Sequence, residues 1–232
     1  DGKPRYEVGA LVALSETDQT LQFQETTISS HDGKTTVNLG IGTRTLSSDD
    51  RWLFGANTFY DHELETGHQR ASIGTEVKST PFELAANRYF GLTGYKLDSD
   101  GNSEKPVDGY DLRLSVALPY MPGLHATYNL SNWKGDDAIP DLERQSLGLK
   151  GQLSKNLSIA YDNSEFSDGR DDSESIRLEY SWMPSSNQVP TVFEFSRDPW
   201  EFEPLGEKRY EFVERETEIV KQNQFEVRIV VE

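Results

Sequence analysis

The chain has 232 residues with 40 acidic and 23 basic side chains, a formal charge of −17. So large an acidic excess argues against nucleic-acid binding, which needs Lys and Arg to neutralise phosphates, and the absence of cysteine rules out disulfide scaffolds, Cys-ligated zinc and thiol catalysis. Only 34% of residues are hydrophobic while 11% are aromatic, which speaks against a disordered chain and leaves an acidic soluble β-protein or a transmembrane β-barrel, where only alternate residues face lipid. In chain order, strands are predicted near residues 5–14, 18–29, 35–45, 52–61, 68–78, 82–92, 110–119, 123–132, 143–152, 157–163 and 174–183. They measure roughly 9–12 residues, the length a tilted strand needs to cross a bilayer.

The signal is period-two alternation. Val37, Leu39, Ile41 and Thr43 alternate with Asn38, Gly40, Gly42 and Arg44. Phe54, Ala56, Thr58 and Tyr60 alternate with Gly55, Asn57, Phe59 and Asp61, and Ala71, Ile73, Thr75 and Val77 with Ser72, Gly74, Glu76 and Lys78. Leu112, Leu114, Val116 and Leu118 form another apolar face, as do Leu124, Ala126, Tyr128 and Leu130, and Ile176, Leu178, Tyr180 and Trp182. The second face is polar, charged or glycine. In a soluble sandwich it would be solvated surface. In a membrane barrel it would line the lumen, with Leu112, Leu114, Val116, Leu118, Tyr128, Tyr180 and Trp182 toward lipid.

Connection lengths separate the two. Tight connections fall at 15–19, 47–51, 79–81, 120–123, 154–156 and 184–187. Between them lie longer acidic ones at 30–34 (the shortest), 62–67, 97–109, 132–141 and 164–172. An antiparallel meander puts alternate connections on opposite rims, and short turns opposite long polar loops is the outer-membrane pattern. The fold class expected is therefore all-β, a transmembrane antiparallel up-and-down barrel over residues 1–186. No apolar run nears the roughly 18 residues of a membrane helix, and Asp1-Gly2-Lys3-Pro4 opens no signal-peptide core. After residue 184, Pro190, Pro199 and Pro204 punctuate a linker, 207–221 could be helical, and Phe225, Val227, Ile229 and Val231 alternate as a fresh strand.

Catalytic chemistry is sparse. His31, His62, His68 and His125 show no ligand spacing, and no clustered acid–base set or Ser/His constellation stands out. Asp98-Ser99-Asp100-Gly101-Asn102 fails as an EF-hand, since position twelve is Gly109. No enzyme activity, cofactor or metal is expected.

Several segments then resemble, in order and spacing, the translocator β-domain of the intimin/invasin family of inverse autotransporters. They are Val37-Asn38-Leu39-Gly40-Ile41-Gly42-Thr43-Arg44, Phe54-Gly55-Ala56-Asn57-Thr58-Phe59-Tyr60-Asp61 and Arg70-Ala71-Ser72-Ile73-Gly74-Thr75-Glu76. Asn87-Arg88-Tyr89-Phe90, Asp108-Gly109-Tyr110-Asp111-Leu112-Arg113 and Leu118-Pro119-Tyr120-Met121-Pro122-Gly123-Leu124 follow, and Lys208-Arg209-Tyr210-Glu211-Phe212-Val213-Glu214-Arg215 closes the series. The resemblance implies a twelve-stranded outer-membrane barrel that threads its C-terminal passenger, an adhesin with immunoglobulin-like domains, through the pore to the cell surface. Residues 187–223 would be a pore-plugging linker carrying Tyr210, Val213 and Arg215, and 224–232 the start of the passenger. The family's first strand would lie before Asp1, unless 189–196 supplies the twelfth.

On this reading Arg44, Asn57, Glu76, Asn87, Arg113 and Asn129 are candidate pore-lining contacts to the linker, against the blander role of lumen solvation. The implied partners are outer-membrane lipid, the barrel-assembly machinery, periplasmic chaperones, peptidoglycan through a preceding segment, and a host or surface receptor through the passenger, with no nucleic acid. Competing readings are an outer-membrane transport pore or barrel enzyme, and a soluble β-sandwich binding module.

Overall fold

Alternation in the sequence becomes alternation across a sheet. The computed structural model describes residues 3–135, 140–167, 169, 171–182 and 190–223. In chain order the strands are β1 (Arg5–Glu16), β2 (Thr20–His31), β3 (Lys34–Leu46), β4 (Leu53–Glu63), β5 (Gln69–Lys78), β6 (Phe82–Gly91), β7 (Lys96–Leu97), β8 (Ser103–Pro106), β9 (Gly109–Leu118), β10 (Met121–Trp133), β11 (Leu142–Ser154), β12 (Leu157–Phe166), β13 (Ser173–Tyr180) and β14 (Lys221–Asn223). Eleven of them form one antiparallel meander, in the order β1 to β6 and then β9 to β13. The two end strands, β1 and β13, share no ladder with each other. A second, three-stranded sheet has the order β14–β8–β7.

Connection lengths segregate by rim. One rim carries the turns after β1, β3, β5, β9 and β11, each of a few residues. The other carries the longer loops, with β7 and β8 inside the connection from β6 to β9. The exceptions on the long-loop rim are the five residues after β4, one fewer than the six after β3 on the other rim, and Asp32-Gly33. Both residues take positive φ, 50° and 74°, closing a two-residue hairpin with His31 opposite Lys34. Three register shifts lie near the short-turn rim, between Ala13 and Ser15, Met121 and His125, and Gln152 and Ser154. Bulges at barrel rims bend the strand and sharpen its twist.

The burial pattern inverts that of a soluble domain. Val8 (58% exposed), Ile41 (56%) and Ile73 (56%) stand outward, with Leu39, Phe54, Tyr60, Tyr180 and Trp182. Leu112 is exposed, and Leu114, Val116, Leu118 and Tyr128 are half-buried on the same phase. The inner face instead buries Glu25, Asn38, Arg44, Asp61, Arg70, Glu76 and Lys78. A β-sandwich would bury the aliphatic face against a second sheet, so the soluble reading fails. Outward aliphatics around a polar interior are what a bilayer selects.

Several sequence expectations change. The 207–221 stretch is not a helix: only Gly206–Tyr210 forms a 3₁₀ turn, because the backbone beyond it is drawn out to bond the inner wall. Residues 190–196 form turns and no ladder, so among the described residues they supply no twelfth strand. The expected loop at 97–109 contains β8, and the strand expected at 157–163 continues to Phe166. The turn expected at 184–187 and the strand expected at 224–231 lie outside the described residues.

The outward phase predicts asymmetric costs on β9. Leu114→Arg should destabilise folding into lipid vesicles by roughly 2–4 kcal/mol if the site is near mid-bilayer, and Ser115→Arg by far less. A folding titration giving equal losses at both positions would refute the assigned phase.

Candidate functional site in the barrel interior

The inward phase of successive strands builds a polar wall. Gly40 and Gly42 on β3 leave room for two rings: a Cβ at Gly40 would lie 2.2 Å from the Phe59 ring, and one at Gly42 would lie 2.4 Å from that of Phe23. Those rings pack with Leu21 into a small buried cluster. Around it stand ion pairs: the Arg44 guanidinium on the Glu76 carboxylate, Arg70 Nε donating to Asp61 at 2.8 Å, and Lys78 Nζ 3.5 Å from Glu76. Arg44 also lies 4.7 Å over the Phe23 ring and Arg70 lies 4.5 Å over that of Tyr89.

Through this interior runs the chain that follows β13. From Leu205 at the short-turn rim it crosses to β14, which pairs with β8 at the long-loop rim. Between the 3₁₀ turn and β14 this stretch belongs to no sheet, so its peptide groups need partners from the wall. The Arg44 guanidinium donates to the carbonyls of Arg209 and Glu211. Asn87 donates to the Glu214 carbonyl at 3.0 Å, and Arg70 to those of Glu216 and Glu218 at 2.7 Å each. In the other direction, the Val213 amide donates to Glu25 at 3.0 Å and the Glu216 amide to the Tyr89 hydroxyl at 2.8 Å.

Side chains complement the wall by charge. Glu211 meets Lys78 at 3.0 Å. Glu214 meets Lys150 at 3.3 Å and Arg113 at 3.8 Å. Glu216 meets Arg144 at 2.9 Å and Arg5 at 3.5 Å. Arg215 enters the wall itself: it donates to Asn38 at 3.0 Å, Asp61 at 2.7 Å and Ser72 at 3.2 Å, and stacks 4.2 Å over Phe59. Val213 joins the Leu21–Phe23–Phe59 cluster. Tyr210 is partly exposed and bonds the Glu16 carboxylate on β1.

At the long-loop rim, Lys221 sits between two carboxylates, 2.7 Å from Glu63 and 2.8 Å from Glu104. Between β7 and β8, Asp98 turns its carboxylate on its own loop. It accepts the side-chain amide of Asn102 at 3.2 Å and the backbone amides of Asp100 and Asn102, which hold it below the usual carboxylate range. Among the described residues no group of three or more His, Asp or Glu is placed to hold a metal.

Of the six wall positions singled out from sequence, Arg44, Asn87 and Arg113 meet the threaded segment. Glu76 lies one step behind, holding Arg44 and Lys78. Asn57 points inward beside Gly74, where a Cβ would lie 2.6 Å from Asn57 Oδ1. Asn129 lines a cavity of about 60 Å³ together with Arg113, Lys150, Asp162 and Glu214. Sequence reasoning missed Glu25, Asn38, Asp61, Arg70, Tyr89, Arg144 and Lys150. The signal was present, since each lies on the inward phase of its strand.

Comparison with known proteins agrees with this architecture. The inverse autotransporter β-domain family matches residues 5–161. The inverse autotransporter adhesin YeeJ of Escherichia coli K12 is 29% identical over 220 residues, covering 88% of this chain and 9% of that protein. Invasin of Yersinia enterocolitica is 30% identical over 116 residues, covering 49% and 14% respectively. Intimin of Escherichia coli O157:H7 is 29% identical over 132 residues, covering 55% and 14%. The chain spans less than half the length of the curated relatives it matches. A solved chain from "Unveiling the Mechanism Behind the in-meso Crystallization of Membrane Proteins" superposes with a TM-score of 0.82 at 19% identity, covering 97% of this chain and 95% of that one. The KdgM porin superposes with a TM-score of 0.51 at 10% identity, covering 77% and 97%. A bacterial outer-membrane location follows from the match, which extends over more than half the chain: this protein belongs to the inverse autotransporter β-domain family.

Proposed function

We propose that the barrel anchors an adhesin in the outer membrane and exports it, with residues 187–223 as the linker left in the pore and 224–232 as the start of the passenger. The short-turn rim then faces the periplasm and the long-loop rim the outside. One further strand between β1 and β13 makes twelve, an even number as in bacterial single-chain barrels. A lumen of that size is narrower than a porin's and admits an extended chain or about one helix of roughly 10–12 Å diameter. The passenger therefore crosses unfolded and folds outside, where it attaches to a host or another surface. Outer-membrane lipid contacts the aliphatic belt. Insertion by the barrel-assembly machinery, escort by periplasmic chaperones and peptidoglycan attachment through a preceding segment belong to the same reading.

The observation that carries it is the rim-to-rim path of the chain after Leu205, whose peptide groups are bonded by side chains from β2, β3, β5 and β6. Such a segment rests in place after sliding through, as an export linker must. In planar bilayers the intact chain should conduct weakly, and removal of residues 211–223 should raise conductance severalfold. Equal conductance with and without that segment would defeat the reading.

Arg215 provides a finer test. Arg215→Ala strips Asp61, Asn38 and Ser72 of a shared buried donor, and breaking a buried pair costs about 3 kcal/mol. The expected outcome is a lowered unfolding temperature together with flickering conductance, as the linker loosens in the pore. A quiet trace and an unchanged transition would show that this contact does not seat the linker.

A further inference from the structure

Residues 190–209 bind the barrel in a different way from the segment that follows. They run along the short-turn rim and touch each of its five turns in reverse chain order. The Val192 amide donates to the Gln152 carbonyl, beside the β11–β12 turn, at 2.9 Å. At the β9–β10 turn, the Ser196 amide donates to the Tyr120 carbonyl at 3.0 Å, the Tyr120 amide donates back to the Pro199 carbonyl at 3.1 Å, and the Trp200 indole donates to the Ala117 carbonyl at 3.1 Å. At the β5–β6 turn, the Glu203 amide donates to the Thr80 hydroxyl at 2.9 Å. At the β3–β4 turn, the Leu205 amide donates to the Asp50 carbonyl at 2.8 Å while its side chain is buried with Leu46 and Leu53. At the β1–β2 turn, Arg209 donates to the Thr17 carbonyl at 2.9 Å and pairs with Glu16 at 3.2 Å.

Two features show a rim shaped to receive this strap. The first is space. A Cβ on Gly123 would lie 2.3 Å from the Thr191 carbonyl carbon, and one on Gly151 would lie 2.7 Å from Val192 Cγ1. Glycine at these two positions, the second beside Leu124 and Ile159 of the outward face, lets the strap backbone and Val192 come so close. The second is backbone strain. Among the described residues, three that are not glycine have positive φ: Asp32, Asp50 and Tyr120. Asp50 and Tyr120 both belong to short-rim turns, and the strap bonds the backbone of both. A left-handed Tyr is unfavourable by itself and persists where its surroundings over-determine it. The strap supplies that at Tyr120 by bonding both its N–H and its carbonyl.

We propose that residues 190–209, the first part of the 187–223 linker, are a rim clasp, a structural part of the barrel rather than of the sliding segment beyond Tyr210, and that the short-turn rim is its docking surface. It ties the turn next to β12 to the turn next to β1, so it spans most of a sheet whose two end strands share no ladder. The clasp stabilises the barrel whatever the segment beyond Tyr210 does. Its failure is therefore separable from failure of the export reading, which the conductance comparison addresses.

The test uses the whole chain. Gly123→Leu and Gly151→Leu fill the seats without altering the strap. Hydrogen exchange at the 119–121 and 47–52 turns should speed by at least about tenfold, exchange at the Asp32-Gly33 turn should stay unchanged, and the temperature at which heat-modifiable migration is lost should fall. Because either variant can also misfold, a second arm adds a bond. The chain has no cysteine, so Thr80→Cys with Glu203→Cys gives one disulfide between strap and rim, and its oxidised form should unfold in detergent about tenfold more slowly than its reduced form. Released turns with an unchanged transition in the first arm, or equal unfolding rates of oxidised and reduced forms in the second, would overturn the clasp.

Discussion

A peptide group without a hydrogen-bond partner costs more in a dry interior than anywhere else in a protein. A barrel satisfies this for its strands by lateral pairing. A chain laid inside the barrel has no such neighbour. The interior of this molecule meets that demand with side chains: Arg44 and Arg70 each donate to two successive carbonyls of the same side of the threaded segment, Asn87 serves the carbonyl between them, and Glu25 and Tyr89 accept its amides. Arginine suits the task because its planar fork reaches two acceptors and stays charged. Aromatic rings of the wall lie beneath Arg44 and Arg70, and a third lies beneath Arg215 of the segment itself. The inward glycines on β3 exist to make room for the rings. Glycine, ring, guanidinium and carbonyl thus form one chain of dependence, running from the sheet to the segment it encloses.

The net charge of −17 conceals this complementarity. Within the barrel the threaded segment contributes Glu211, Glu214, Glu216 and Glu218 to a wall carrying Arg5, Lys78, Arg113, Arg144 and Lys150, and contributes Arg215 to Asp61. Buried ion pairs are weak sources of stability, since desolvation offsets most of their attraction. What they provide is position. The acidic excess lies elsewhere, in the exposed loops and turns, where it keeps them solvated.

Much of this was legible in the sequence because the signals are periodic. The phase of Val37 to Arg44 or Leu112 to Leu118 survives any choice of fold, and the alternation of short and long connections separates a membrane meander from a sandwich. What stayed hidden depends on contacts without a period. β14 is three residues long and joins β8 across more than a hundred residues of chain. The stretch 207–221 could be helical by its mixed charge alone, but its charges point in several directions toward a wall that surrounds them. The clasp was invisible because it is written mainly in backbone atoms. Many of its amides and carbonyls bond those of the turns, and the side chains that mark it, Gly123, Gly151, Thr80, Trp200, Leu205 and Arg209, follow no period.

The same interior explains why the threaded segment has one resting place. An extended chain that slips by two residues keeps its sides but moves by about 6.6 Å. If it slips outward by two, Glu211 enters the place of Val213, against Leu21, Phe23 and Phe59 and beside Glu25. If it slips inward by two, Arg215 enters that apolar cluster and Asp61 faces Thr217. Either shift drives a charge into a hydrocarbon pocket and removes the Arg215 partner from Asp61. A slip by one residue turns Val213 and Arg215 to the opposite side altogether, as a one-residue register change does in any extended chain. Alternating an apolar seat with an acidic one along the wall therefore fixes the register of the threaded segment, and the Glu63–Lys221–Glu104 bridge at the long-loop rim repeats the same choice by charge.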